Sequence, residues 1–97
     1  MGRVVVAAAI ALLAVAAAVV ASAEPPAGAV SCSGCHPTST KVTSPVPRLA
    51  GQDRAAIVRA MQDFRSGQRA GTVMDRIAKG FTDDEIQALA TWFAAQK

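Results

Sequence analysis

The chain has 97 residues, of which 52% are hydrophobic and 4% aromatic, and its formal net charge is +3 at pH 7. This modest positive charge, without a basic run interleaved with aromatics and without any tyrosine, argues against a nucleic-acid-binding protein. The sequence also shows no nucleophile beside a base and no acid pair that would indicate substrate chemistry of its own.

Residues 1–23 have the pattern of an export signal. Arg3 gives a short positive start, an almost unbroken apolar run follows, and Ala21-Ser22-Ala23 has the small-x-small form of a cleavage site. The run is also close to the length that crosses a bilayer, so an uncleaved membrane anchor is the alternative. The Ala-rich composition favours cleavage at the triplet, which predicts a periplasmic domain of residues 24–97.

Residues 24–97 are expected to form an all-α domain with long loops. A short helical turn is predicted over residues 29–36, and the prolines and Thr/Ser cluster of residues 37–51 predict a loop. A middle helix is predicted after the N-cap Asp53, where apolar residues recur at i, i+3, i+4 and i+7. Gly67 is the predicted stop of this helix.

A second loop is predicted over residues 68–81, before the clearest helix of the sequence. Thr82 and Glu85 fit a capping box that starts a helix over residues 83–95. Two moderate helices and a helical turn cannot form a full core in so short a chain. We therefore expect a large apolar object at the centre of the domain.

Cys32-Ser33-Gly34-Cys35-His36 is a C-x-x-C-H motif, the attachment signal for haem c. Two thiols at this spacing reach the two vinyl groups on one edge of the porphyrin, and the adjacent His36 becomes the proximal iron ligand. A thioredoxin-like redox pair is disfavoured because no βαβ pattern is present. A zinc site is disfavoured because the chain has two cysteines and one histidine. A structural disulfide, which export permits, is the remaining alternative.

A methionine is the expected second axial ligand of the iron, because the single histidine is already used. Met61 lies on the apolar stripe of the middle helix, where core packing explains it. Met74 lies in the predicted second loop, from which its sulfur can reach the iron without breaking a helix. Filling a gap in the core is the alternative role of Met74. Ligation by both His36 and Met74 would leave no open iron position, which disfavours a haem enzyme.

Three consecutive residues are assigned to the surroundings of the same cofactor. Pro47 would place a backbone carbonyl that accepts a hydrogen bond from His36 Nδ1, unless it is an ordinary loop proline. Arg48 would lie near a haem propionate, or else in solvent. Leu49 is expected in the apolar wall, together with Met61, Phe64, Ile77 and Phe93.

These features together resemble a class I c-type cytochrome. More narrowly, Leu49-Ala50-Gly51-Gln52, Met61-Gln62-Asp63-Phe64-Arg65-Ser66-Gly67 and Met74-Asp75-Arg76-Ile77-Ala78-Lys79-Gly80 are similar to the monohaem cytochrome subunit of flavocytochrome c sulfide dehydrogenase. The similarity extends over nearly all of residues 30–96. The glycine that usually follows the histidine in this family is Pro37 here.

The resemblance implies a small class I cytochrome c fold around one covalent haem c. Cys32 and Cys35 would carry the haem, His36 and Met74 would ligate its iron, and Trp92 would form an aromatic pair with its neighbour Phe93. The resemblance also implies a partner, a FAD-containing flavoprotein subunit that oxidises sulfide and passes single electrons to the cytochrome. A free soluble cytochrome that shuttles electrons between respiratory or photosynthetic complexes is the other interpretation.

Overall fold

The computed structural model describes residues 24–97, which form four helices and contain no strand. The helices are α1 (Ala29–Ser33), α2 (Arg54–Ser66), α3 (Met74–Ala78) and α4 (Asp83–Ala95). The all-α fold predicted from the sequence is confirmed. The predicted export signal, residues 1–23, lies outside the described residues.

The two long helices begin and end at the predicted capping residues. The Asp53 carboxylate accepts a hydrogen bond from the Ala56 N–H at 3.0 Å, which satisfies a free donor in the first turn of α2. Gly67 ends α2 with a φ of 83°, a left-handed conformation that glycine adopts without strain. At α4, the Glu85 N–H donates to Thr82 Oγ1 and the Thr82 N–H donates to Glu85 Oε1, at 3.2 and 3.0 Å. This is the predicted capping box.

The capping box makes the start of α4 a measurable contributor to stability. Replacing Thr82 by alanine removes the acceptor for the Glu85 N–H and is expected to lower the free energy of unfolding by about 0.5–2 kcal/mol. Urea denaturation of the two proteins would measure the difference. Thr91→Ala, at an exposed position inside the same helix, is the control and should leave stability nearly unchanged. Equal losses in both variants would contradict a capping role.

The short helix α1 ends earlier than the predicted turn. It stops at Ser33 with Gly34 as its C-cap, so Cys35 and His36 follow the helix. The N–H groups of Cys35 and His36 both donate to the Cys32 carbonyl oxygen, at 3.2 and 2.9 Å. Pro37 disfavours helical backbone at the residue before it, which explains why the helix does not continue.

The second predicted loop contains a helix, and the prediction of a continuous loop there was wrong. α3 begins at Met74, and the N–H groups of Arg76 and Ile77 both donate to the Val73 carbonyl oxygen. A helix of five residues is too short to be stable by propensity alone, so packing must hold it in place. Ala78 supplies that packing, because it is fully buried and contacts α2 and α4 through Met61 and Ile86.

Two clusters of buried side chains join the helices. One contains Ala29, Ile57, Leu89, Ala90 and Phe93, and the other contains Met61, Ala78 and Ile86. Gly28, with a φ of 89°, allows α1 to approach closely, since a Cβ at this position would lie 2.7 Å from the Phe81 ring. None of the helices described in residues 24–97 is long and apolar enough to cross a membrane.

Candidate haem site

A largely apolar cavity of about 450 Å³ lies beside these clusters. The C-x-x-C-H segment and the loop that follows it form one side, and residues from α2, α3, α4 and the loop before α3 form the rest. The five apolar residues predicted for the cofactor wall all line this cavity: Leu49, Met61, Phe64, Ile77 and Phe93. The helices and loops therefore surround an apolar space, as expected for a domain with a large apolar group at its centre.

Both cysteines line the cavity, and their sulfurs are not bonded to each other. Cys32 is half-buried at the end of α1, whereas Cys35 is exposed. Burial raises the pKa of the Cys32 thiol above its ordinary value, although a backbone hydrogen bond opposes the shift. The end of α1 and the residues after it therefore present two free thiols to the same cavity.

The imidazole of His36 also lines the cavity, and a hydrogen bond fixes its orientation. His36 Nδ1 lies 2.6 Å from the Pro47 carbonyl oxygen. A carbonyl oxygen can only accept, so Nδ1 carries a proton, and in the neutral ring Nε2 keeps a lone pair for a metal. This is the hydrogen bond that the sequence predicts for the Pro47 segment.

Both methionine candidates line the cavity, but their surroundings differ. Met61 is 9% exposed and belongs to the cluster formed with Ala78 and Ile86. Met74 is half-buried, packs against the edge of that cluster and begins α3. Met74 thus lies at the cavity wall, and its side chain is less buried in the core than that of Met61.

Arg48 and Leu49 are adjacent in sequence but have different environments. Leu49 lines the cavity and packs against the core. Arg48 is not among the lining residues, and its Nε and Nη2 donate to the Thr38 carbonyl oxygen at 3.3 and 3.1 Å. Arg48 therefore ties the two ends of the loop after Pro37 together.

The aromatic pair of the last helix is present. The rings of Trp92 and Phe93 lie edge to face, with centroids 4.9 Å apart. Phe93 is buried and reaches the cavity, whereas Trp92 is half-buried and packs against the core. Phe93 therefore forms part of the cavity wall, and Trp92 packs against Phe93.

No family model matches the chain, but several known proteins are similar to it. The cytochrome subunit of sulfide dehydrogenase from Chlorobaculum tepidum is 42% identical over 64 residues, which cover 66% of this chain and 58% of that protein. Cytochrome c-554(548) from Halomonas halodenitrificans is 30% identical over 71 residues, covering 69% and 86%. This chain belongs to the class I c-type cytochromes.

A third relative of this cytochrome is named for a different role. The thiosulfate dehydrogenase electron acceptor of Stutzerimonas stutzeri is 35% identical over 69 residues, which cover 69% of this chain and 32% of that protein. The chain thus spans 58% of the sulfide dehydrogenase subunit and about a third of the thiosulfate dehydrogenase acceptor. Electron transfer through haem c is the property that these relatives have in common.

The residues of the cavity fit a haem c group. Two free thiols, an imidazole with a free Nε2 and a thioether are the donors that this group requires, and an apolar wall suits the porphyrin faces. Residues 24–97 contain no cluster of three His, Cys, Asp or Glu side chains that could hold a metal ion.

Gln52 and Arg69 are among the lining residues of the cytochrome that were not predicted. Gln52 lines the cavity, and its side-chain amide donates to the Arg48 carbonyl oxygen. Arg69 also lines it, with the guanidinium Cζ 4.7 Å from the centroid of the Phe64 ring. The available signal for Arg69 was its position between the Gly67 stop and Met74, in a loop expected to reach the cofactor.

Proposed function

We propose that this cytochrome is a periplasmic electron-transfer protein with one haem c. In this proposal Cys32 and Cys35 bind the haem covalently, and His36 and Met74 ligate its iron. The observation that carries the proposal is that all four side chains line one apolar cavity. The bound haem would supply reversible one-electron exchange at its iron.

The surrounding residues have separate roles in this proposal. The Pro47 carbonyl oxygen accepts a hydrogen bond from His36 Nδ1, which holds the ring in one orientation and makes Nε2 a stronger ligand for the iron. Leu49, Phe64 and Phe93 exclude water from the cavity and so lower the local dielectric.

We also propose that export delivers the chain to the periplasm, with residues 1–23 removed as a signal peptide and residues 24–97 remaining as the cytochrome domain. Support comes from the positive start, the apolar run and the Ala21-Ser22-Ala23 triplet. An uncleaved segment would instead tether the cytochrome domain to the membrane.

The proposed electron donor is a FAD-containing sulfide dehydrogenase subunit. Support comes from the sulfide dehydrogenase cytochrome subunit of Chlorobaculum tepidum, which is 42% identical. A permanent complex of this kind generally buries about 1,200–2,000 Å² or more, with an apolar centre. Val30 and Val42 are exposed apolar residues that do not line the cavity, so they would contribute to such a contact.

Purification from the native periplasm tests this partner. The cytochrome is expected to co-elute with a FAD-containing protein at high salt, because an apolar interface is little weakened by ionic screening. Sulfide should then reduce the haem of the purified complex, which an absorption spectrum would record. Elution as a flavin-free monomer, with no reduction by sulfide after the flavoprotein is added back, would contradict the assignment.

The second candidate function is a free electron shuttle. The observation that favours it is the similarity to the thiosulfate dehydrogenase electron acceptor of Stutzerimonas stutzeri. A shuttle docks briefly and through charges, so its rate of electron transfer would fall steeply as salt rises. The salt dependence of the rate therefore separates the two candidates.

A further inference from the structure

The cavity contains few charged groups. Within the described lining, the titratable side chains are Cys32, Cys35, His36 and Arg69, and Asp, Glu, Lys and Tyr are absent. The Nδ1 proton of His36 is already donated to Pro47. Arg69 is therefore the one permanent cation in this lining.

The Arg69 guanidinium is positioned by its neighbours. Its Cζ lies 4.7 Å from the centroid of the Phe64 ring, within the range of a cation–π contact. The backbone N–H of Arg69 donates to the Asp63 carbonyl oxygen at 3.1 Å, which fixes the turn after α2. The backbone of Gly71 passes close to the same ring, since a Cβ at Gly71 would lie 3.0 Å from Phe64.

The N–H groups of the Arg69 guanidinium have no acceptor among the described residues. Among residues 24–97 the structure gives an ion pair between Arg65 and Asp83, and none to Arg69. The Arg69 side chain also donates no hydrogen bond to the part of the chain that is described. An arginine carries five N–H donors in a planar fork that suits a carboxylate.

Haem carries two propionate carboxylates, and a carboxylate at the edge of an apolar cavity needs a cation or hydrogen-bond donors. Arg48 was predicted for this role, but two of its nitrogens donate to Thr38 and it does not line the cavity. We infer that Arg69 is the residue that pairs with a haem propionate. This inference rests on the proposed haem c.

The test is the midpoint potential of the haem-loaded Arg69→Gln protein, measured against pH. Loss of the cation leaves the propionate uncompensated, which raises the pKa of that propionate. The fall in potential that accompanies propionate ionisation should therefore move to higher pH. Above that pH, the potential should lie below that of the unaltered protein, because an unpaired negative charge favours ferric iron.

Three variants separate this role from a general effect of charge or folding. Arg59→Gln removes the same charge from an exposed position on α2 outside the cavity lining, and should leave the titration unchanged. Arg69→Lys keeps the charge and should stay close to the unaltered protein. Arg48→Gln tests the competing arginine and should not move the titration.

The outcomes are distinct. A titration of Arg69→Gln that matches that of Arg59→Gln would overturn the inference, as would a shift produced by Arg48→Gln in place of Arg69→Gln. Haem staining of the unaltered protein after denaturing electrophoresis is measured alongside. Missing covalent haem would contradict the proposed function itself, whereas stained protein with an unmoved titration contradicts the role of Arg69 alone.

Discussion

The double replacement of Cys32 and Cys35 by serine is expected to abolish covalent haem attachment. Serine hydroxyls are far weaker nucleophiles than thiols and do not add to the vinyl groups, so haem would be lost on denaturation. Haem staining after denaturing electrophoresis would measure the loss directly. A mass spectrum of the unaltered protein would show the added haem and whether the chain begins at Glu24.

Ser33→Ala is the matched control for this experiment. Ser33 lies between the two cysteines, and its hydroxyl donates to the Ala29 carbonyl oxygen at 3.1 Å, so its replacement alters the same turn without removing a thiol. Covalent haem should be retained in this variant. Haem that stays bound to the doubly substituted chain through denaturation would contradict attachment at the motif.

Loss of haem should also weaken the fold. Residues 24–97 have eight buried hydrophobic residues, and the cavity wall lies beside them. Burying that wall against a porphyrin contributes roughly 25 cal/mol per Å² of apolar surface removed from water. A domain of roughly 70–80 residues rarely gains enough from its own core, so the haem-free chain should lose most of its cooperative unfolding transition.

The sequence predicted the elements whose signals are local. Asp53 and Gly67 bound α2, and the Thr82 capping box starts α4, because each of these residues acts on backbone groups within a few positions of itself. The five residues of α3 carry no such signal. Its helical form depends on Ala78 packing against α2 and α4, which sequence periodicity over so short a segment cannot show.

The site was predictable to the extent that it depends on a contiguous motif. Cys32, Cys35 and His36 are held within one turn, so their meeting at one cavity follows from spacing. The choice between Arg48 and Arg69 as a partner for the cofactor depends on how two separate loops fold over the cavity. No local pattern in the sequence encodes that arrangement.

Met74→Ala is expected to open one axial position of the iron. A thioether ligand favours ferrous iron, so its removal should lower the reduction potential by more than ~59 mV, a tenfold change in a one-electron equilibrium. Added cyanide or carbon monoxide should then bind to iron that excludes them in the unaltered protein. The absorption band that arises from methionine–iron coordination should disappear from the ferric spectrum.

Met61→Ala is the control, because Met61 also lines the cavity but is buried in the core with Ala78 and Ile86. Deleting that side chain should lower the free energy of unfolding by about 2–5 kcal/mol while the methionine–iron band persists. Met74 is half-buried at the start of a short helix, so its replacement should destabilise the fold less through packing. A band that persists in Met74→Ala and vanishes in Met61→Ala would assign the ligand to α2 instead of α3.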